Sequence, residues 1–145
     1  MYNGRLDDKG RMKLAAELVQ YFAALPEKKL FVTSLDRRTA QIYPISAWRS
    51  NEQFFQEYRE DPTLARKIAF NAADLGSETE VDSQGRLLFS PDLRREMGLE
   101  NQTLHLYARR KHIEVLSEKQ YEDLKNEATG TTPDEVGRLE TAGMN

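Results

Sequence analysis

The sequence predicts a β-rich α+β fold in which one small module occurs twice. The first observation is a repeated motif: Leu6–Met12 and Val81–Leu87 share Asp, Gly and Arg at a constant offset of 75 residues. The second is that each copy shows the same series of signals, namely a strand, a glycine turn, a second strand, a helix and a hairpin. Because further matches follow in the same order, we interpret the chain as a duplication. These matches pair 30–32 with 104–106 at offset 74, and 42–48 with 115–121 at offset 73.

The first copy begins with a strand and a glycine turn. Gly10 permits the positive φ that such a turn needs, and a second strand follows over Arg11–Leu14. Apolar residues at helical spacing, among them Leu18 and Phe22, predict a helix over Ala15–Leu25. Two strands flanking a charged turn then predict a hairpin, with strands over 30–34 and 41–43.

The second copy repeats this order with clearer helix signals. Gly85 marks the turn, and Arg86–Phe89 forms the strand after it. Ser90 is a helix N-cap followed by proline at the first helical position, and Gly98 ends the helix. The closing hairpin is predicted over 103–108 and 112–116.

Helices connect and follow the two copies. Spaced apolar residues predict helices over Ser46–Arg59 and Pro62–Leu75, and a last helix runs from Ser117 to about Glu127. The remainder has few apolar residues and is predicted to be disordered. The predicted organisation is a first module at 1–48, a helical connection at 49–78, a second module with its C-terminal helix at 79–127, and a disordered acidic tail at 128–145.

Charge is distributed unevenly along the 145 residues, whose net charge is −3. Residues 1–13 carry four cations and two anions, whereas residues 117–145 carry three cations and seven anions. A chain with a basic N-terminal segment and an acidic tail can still present a basic face to nucleic acid. No apolar run is long enough for a membrane span, and no signal region begins the chain, so we expect a cytoplasmic, nucleoid-associated protein.

No constellation of residues indicates an enzyme. The chain has no cysteine, which excludes disulfides and thiolate catalysis. His105 and His112 flank one hairpin, but no third metal ligand is spaced to join them. Phosphate-binding glycine loops and nucleophile–base motifs are also missing. We therefore expect neither an enzyme nor a metal or cofactor site.

The repeated motifs resemble those of a known family. Asp7–Arg11 and Asp82–Arg86 are similar to the paired Asp-x-x-x-Arg motifs of MraZ, a family of bacterial transcriptional regulators. Ile42–Trp48 resembles the end of that family's first module, and Ser90–Arg94 resembles the stretch after its second motif. The resemblance covers about residues 4–125. The first copy departs from it, because it lacks the proline after the motif and the arginine in the following helix.

The resemblance implies an architecture and a function. The modules would be AbrB-like (SpoVT–AbrB), with swapped hairpins forming a small barrel and an intrachain pseudo-dimer. The partners would be double-stranded DNA and further copies of the chain in a ring-like homo-oligomer. The protein would bind direct repeats upstream of its cell-division and cell-wall operon and repress it. Alternatives are an AbrB-like antitoxin or transition-state-type regulator, and an oligomeric scaffold without DNA binding.

The candidate DNA-binding residues lie in and around the two motifs. An arginine fork can bond two acceptors of guanine or a phosphate, and an aspartate four residues earlier can hold that fork in place. Flanking cations would contact phosphates. The alternative interpretation is a purely structural Asp–Arg pair that fixes each turn. The candidates are Arg5, Asp7, Lys9, Arg11, Lys13, Asp82, Gln84 and Arg86.

Overall fold

The computed structural model describes residues 1–145 and contains eight short strands and six helices. The predicted α+β class is confirmed, but the expectation of a β-rich chain is wrong. Helices hold more residues than strands, because no strand exceeds five residues. The strands are β1 Tyr2–Gly4, β2 Arg11–Lys13, β3 Leu30–Thr33, β4 Ala40–Pro44, β5 Ser77–Thr79, β6 Arg86–Leu88, β7 Leu104–Ala108 and β8 Ile113–Leu116. The helices are α1 Ala16–Ala23, α2 Ile45–Glu57, α3 Pro62–Leu75, α4 Pro91–Met97, α5 Glu118–Ala128 and α6 Pro133–Thr141.

Six strands form one antiparallel sheet in the order β1-β7-β8-β4-β3-β5. The two predicted hairpins, β3–β4 and β7–β8, meet at its centre through pairing of β4 with β8. Each edge is filled by the other copy, since β1 pairs with β7 and β5 pairs with β3. The strand order is therefore symmetric about the centre of the sheet, because equivalent strands of the two copies lie at equal distances from it.

The remaining strands, β2 and β6, form a separate antiparallel pair, called here the ribbon. Its inner face carries Met12 and Leu87, which are fully buried. Two backbone bonds extend the pairing into the turns: Leu14 N donates to Gly85 O and Phe89 N donates to Gly10 O, both at 2.9 Å. The two motif turns thus lie at opposite ends of the ribbon, each beside the other copy's strand.

One core serves both copies. It holds 17 buried residues, most of them from the sheet, the ribbon and helices α1 and α4, with Leu75 from the end of α3. Phe22 of α1 and Leu93 of α4 pack into it from equivalent helices, together with Phe89. Apolar burial is the main stabilising term in folding, and the two copies bury their apolar side chains in the same core. Neither copy therefore packs as a separate unit.

A second, smaller cluster joins helices α2 and α3 to the sheet. Trp48 is buried there with Tyr43 and Ala72, and the Phe31 ring stacks on it at 4.6 Å between centroids. At the β3–β4 turn, Arg37 adopts a φ of 60° and binds Asp74 of α3 at 2.7 Å and Glu96 of α4 at 2.9 Å. This arginine therefore joins the helical connection to the second copy.

None of the helices combines the length and apolar character needed to cross a bilayer.

The expectation of a disordered tail over 128–145 is wrong, because α6 forms within it. Its first turn has a capping box between Thr132 and Glu135, with Pro133 at the first helical position. These polar contacts satisfy the free amides that otherwise end a helix, and they do not require a buried apolar face. The boundaries between the modules and the connection remain a prediction.

Candidate nucleic-acid interface

The first motif turn is built around one carboxylate. Asp7 Oδ1 accepts hydrogen bonds from the backbone amides of Lys9, at 3.0 Å, and Arg11, at 2.9 Å. Asp7 Oδ2 accepts from Arg11 Nε at 2.9 Å. Gly10 has a φ of 81°, a left-handed conformation that suits glycine. The aspartate therefore closes the turn and fixes the arginine with the same side chain.

The second motif turn repeats this geometry. Asp82 Oδ1 accepts from the amides of Gln84 and Arg86, both at 2.9 Å, and Asp82 Oδ2 accepts from Arg86 Nε at 2.9 Å. The backbone amides of Arg11 and Arg86 are the main cause that holds the pKa of Asp7 and Asp82 below its ordinary value. Both carboxylates are consequently ionised at neutral pH.

Each Asp–Arg pair leaves most of the arginine fork unused. Only Nε of Arg11 and of Arg86 bonds to the aspartate, and the terminal nitrogens have no partner within the chain. The two side chains are 28% and 26% exposed. The structural pairing of the alternative interpretation is thus present, but it occupies one donor and leaves the terminal donors unpaired. The geometry is compatible with both roles at once.

The outer face of the ribbon combines cations from both copies. Side chains alternate along a strand, so the residues next to buried Met12 and Leu87 point outward. On that face the register places Lys13 opposite Arg86 and Arg11 opposite Leu88. Lys13 Nζ also donates to the backbone oxygen of Gln84 at 2.9 Å, and this bond links β2 to the second motif turn.

The other candidates lie at the edges of this face. Arg5 is exposed, and its only side-chain contact is a long one of 3.5 Å to Thr103 Oγ1. Lys9 and Gln84 are exposed at the tips of the two turns, and neither side chain has a bond within the chain. The structure therefore joins Arg11, Lys13 and Arg86 through the ribbon and leaves the others as separate surface groups.

The two turns differ in charge although they share their geometry. At the offset of 75 residues, Lys9 corresponds to Gln84. Two further cations of the first copy are also replaced in the second: Arg5 corresponds to Glu80, and Lys13 to Leu88. The first motif turn and its flanks are the more basic of the two.

Arg94 of α4 was not among the candidates, yet it lies against the first motif turn. A Cβ added at Gly10 would overlap its guanidinium group. Its Nε donates to Phe89 O at 2.9 Å, and its side chain is only 14% exposed. The equivalent residue of α1 is Val19, whose Cγ2 would lie 3.4 Å from a Cβ at Gly85. One difference between the two copies could have pointed to this contact: the first helix lacks the arginine that α4 has. Each of these helices packs against the motif turn of the other copy, so the two turns have different neighbours.

The two histidines take part in local packing. His105 Nε2 lies 3.0 Å from Glu118 Oε1, and its ring stacks on Tyr121 at 3.8 Å between centroids. His112 lies against the Tyr43 ring at 4.9 Å. No group of three potential metal-ligating side chains is present in the chain.

Comparison with known proteins links most of the chain to one family. The family described as "MraZ protein, putative antitoxin-like" matches residues 76–137. A protein of Dechloromonas aromatica named transcriptional regulator MraZ is 33% identical over 92% of this chain and 93% of its own length. Proteins of the same name from Variovorax paradoxus and Acidobacterium capsulatum are 31% and 27% identical, covering 89% and 81% of this chain and 89% and 80% of their own lengths. The family match at residues 76–137 includes the second motif turn.

Proposed function

The chain belongs to the MraZ family of transcriptional regulators, and we propose that it regulates transcription by binding double-stranded DNA through the outer face of the ribbon and the first motif turn. One observation carries the proposal: two arginine forks, each fixed at Nε by an aspartate, lie on an exposed ribbon with their terminal nitrogens unpaired. Fixed forks with unpaired donors suit the recognition of base edges or phosphates.

The shape of the ribbon supports this binding mode. A two-stranded antiparallel ribbon fits the major groove of B-DNA, where guanine offers two acceptors to one arginine. In the proposed complex Arg11 reads a base, Asp7 keeps its fork in place, and Arg5, Lys9 and Lys13 contact phosphates. Arg86 and Asp82, with Gln84 beside them, form the less basic second turn. Their contribution to DNA affinity is expected to be smaller.

The crossed strand pairing supports an AbrB-like assembly within one chain. Because β1 pairs with β7 and β5 with β3, we propose that the two modules are swapped-hairpin units that form an intrachain pseudo-dimer. A single ribbon offers few cations, too few for tight specific binding alone. A ring-like homo-oligomer would place several such faces on neighbouring DNA sites, and tethering would raise affinity roughly 10²- to 10⁴-fold.

The regulated target follows from the family resemblance. The proposed site is a set of direct repeats upstream of the chain's own cell-division and cell-wall operon, and the proposed effect is repression. Direct repeats suit a ring of head-to-tail contacts, because such contacts present every ribbon with one polarity.

Fluorescence anisotropy with DNA from upstream of the operon tests this proposal. Probes carrying one, two and three repeats should bind with increasing affinity, and a half-turn insertion between repeats should abolish the gain. Equal affinity for one repeat and three would refute the avidity mechanism. Absence of DNA binding at low salt would instead favour the scaffold alternative.

A second candidate function rests on the family description, which includes the words "antitoxin-like". An antitoxin would form a stable complex with a toxin encoded beside it and relieve the growth arrest that toxin causes. Co-expression of the chain with each neighbouring gene product tests this function. Relief of arrest without any change in operon transcription would favour the antitoxin over the regulator.

A further inference from the structure

Helix α6 is defined at both ends by its own sequence. Its N-terminus has the capping box of Thr132 and Glu135. At its C-terminus Gly143 N donates to Glu140 O at 3.1 Å and Met144 N donates to Leu139 O at 3.0 Å, the bond pattern of a Schellman motif with glycine at positive φ. Such complete capping indicates that this nine-residue segment is specified as a helix.

The helix nevertheless buries nothing in its own chain. None of its residues is buried, and three apolar side chains, those of Val136, Leu139 and Met144, are 40%, 60% and 46% exposed. Val136 and Leu139 are three residues apart and lie on one side of the helix, where they form its apolar row. Met144 follows the end of the helix at Thr141, beyond Gly143. Helices this short are marginal in water without tertiary packing. Exposed apolar side chains on a fully capped helix indicate that the helix packs against a partner outside its own chain.

A groove of about 510 Å³ between α2 and α3 offers a matching surface. Its floor is aromatic, with Phe31, Trp48 and Phe55, and its α3 wall is made of small residues, among them Ala65 and Ala69. No residue of α6 lines it. Small residues on one wall and aromatic rings below allow the close approach of another helix, as in helix-in-groove recognition.

The charges of the two surfaces are complementary. Arg59 and Arg66 border the groove; each is exposed, bonds only to its own helix region, and takes part in no salt bridge. Glu135 and Glu140 lie on either side of the apolar row of α6, as the helical spacing requires. Residues 132–144 carry three acidic residues and one basic residue. The groove lining carries Arg59, Arg66 and one acidic residue, Glu52, so a helix of net negative charge faces a groove of net positive charge.

We propose that α6 of one copy docks in the α2–α3 groove of a second copy. The contact joins two different surfaces, so it is heterologous and continues from copy to copy until a ring closes or a filament grows. The inference rests on the proposed function only in that both require a homo-oligomer. It goes beyond that function because it assigns the two contacting surfaces, neither of which includes the ribbon.

Disulfide trapping tests the contact directly, because the chain has no native cysteine. Ala69→Cys lies in the groove and Leu139→Cys in the apolar row of α6. When the two single variants are mixed and oxidised, a covalent heterodimer is expected on a non-reducing gel. Lys67→Cys, on α3 but outside the groove lining, is the matched control and should give at least tenfold less product with Leu139→Cys. Equal trapping at both positions, or none at Ala69→Cys, would overturn the proposal.

Light scattering of single-residue variants provides an independent measurement. Leu139→Asp should shift the particle mass from that of an oligomer towards the 16.7 kDa of one chain. Arg66→Glu should weaken assembly, and Glu140→Arg in the same chain should restore it at least in part. An unchanged mass for Leu139→Asp would overturn the proposal. Loss of DNA binding in Arg11→Ala, with normal trapping, would leave this inference intact and bear only on the ribbon.

Discussion

The two motif turns share one backbone geometry and differ in charge. In both, the aspartate carboxylate accepts hydrogen bonds from two backbone amides and from one arginine Nε, at 2.9–3.0 Å. Yet Lys9 of the first turn is replaced by Gln84, and Lys13 of the first strand by Leu88. A geometry kept in both copies is explained by the fold, since both turns close the same ribbon. Lys13 also bonds to Gln84 O, whereas the Lys9 side chain has no bond within the chain. The charge of Lys9 has no such structural reason, and under the proposed function it makes the first turn the stronger DNA contact.

The turns also differ in what packs against them. Each turn rests on the helix of the opposite copy, so Gly10 meets Arg94 whereas Gly85 meets Val19. A fifth cation thus reaches the first turn from the second copy, and it is paired with Glu100 at 3.2 Å. The two ends of the ribbon therefore have different cationic neighbours: Lys9 and Arg94 lie at the first turn, and Lys13 lies at the second, where it bonds to Gln84 O.

The largest expected effect separates Arg11 from Arg86. Arg11→Ala should weaken specific DNA binding by about 1–3 kcal/mol per bound face, or roughly 5- to 150-fold, because a two-donor base contact is lost. Arg86→Ala should have a clearly smaller effect. Anisotropy titrations measure both affinities, with circular dichroism and size exclusion as controls. Comparable losses for the two variants would show that the charge difference does not assign function.

Alanine at the two turn glycines should reduce stability by different amounts. Both residues have positive φ, so Gly10→Ala and Gly85→Ala should each cost about 1–2 kcal/mol. Gly10→Ala should cost more, because the new Cβ displaces the Arg94 guanidinium and its bond to Phe89 O. Urea unfolding measures the two free energies. A larger loss for Gly85→Ala would contradict the packing difference described here.

Exchanging the differing residues should move the salt dependence of DNA binding. Gln84→Lys with Leu88→Lys should steepen the slope of log affinity against log salt by up to about 0.9 for each new phosphate contact. Lys9→Gln with Lys13→Leu should make the slope shallower by a similar amount. Titrations at several salt concentrations give both slopes. Slopes that stay unchanged in both variants would place the phosphate contacts elsewhere on the molecule.

The smallest expected effect should be equal in the two copies. The pKa of Asp7 and of Asp82 is lowered in the folded state, mainly by a backbone amide, so each ionised carboxylate stabilises the fold above its ordinary pKa. This contribution is lost as the pH falls below about 4. Asp7→Asn and Asp82→Asn should each reduce, to the same extent, the fall in melting temperature that occurs as the pH drops into the acid range. Unequal reductions would show that the two turns are not structurally equivalent.

Local signals in the sequence predicted most elements. Caps and apolar spacing located α3, whose observed bounds, Pro62–Leu75, equal the predicted ones. Ser90 and Gly98 likewise delimit α4, with Gly98 in the left-handed conformation. Such signals depend only on neighbouring residues and are therefore readable from one sequence.

Contacts between distant residues were not predictable in the same way. Apolar periodicity shows that a strand exists but not which strand it pairs with, so the pairing of β1 with β7 had no local signal. The position of Arg94 over Gly10 depends on that crossing. Arg37 reads as a charged turn residue, yet it binds Asp74 and Glu96 in two different helices. The DNA-binding roles of the candidate residues remain predictions.

The crossed pairing has a consequence for biosynthesis. Gly4 pairs with Leu104, a partner 100 residues later in the chain. At roughly 5–20 residues per second, translation supplies that partner only after about 5–20 s. Until then the nascent first copy has unpaired strand edges, a feature that promotes aggregation. The speed of the ribosome therefore sets the shortest time for which these edges stay unpaired.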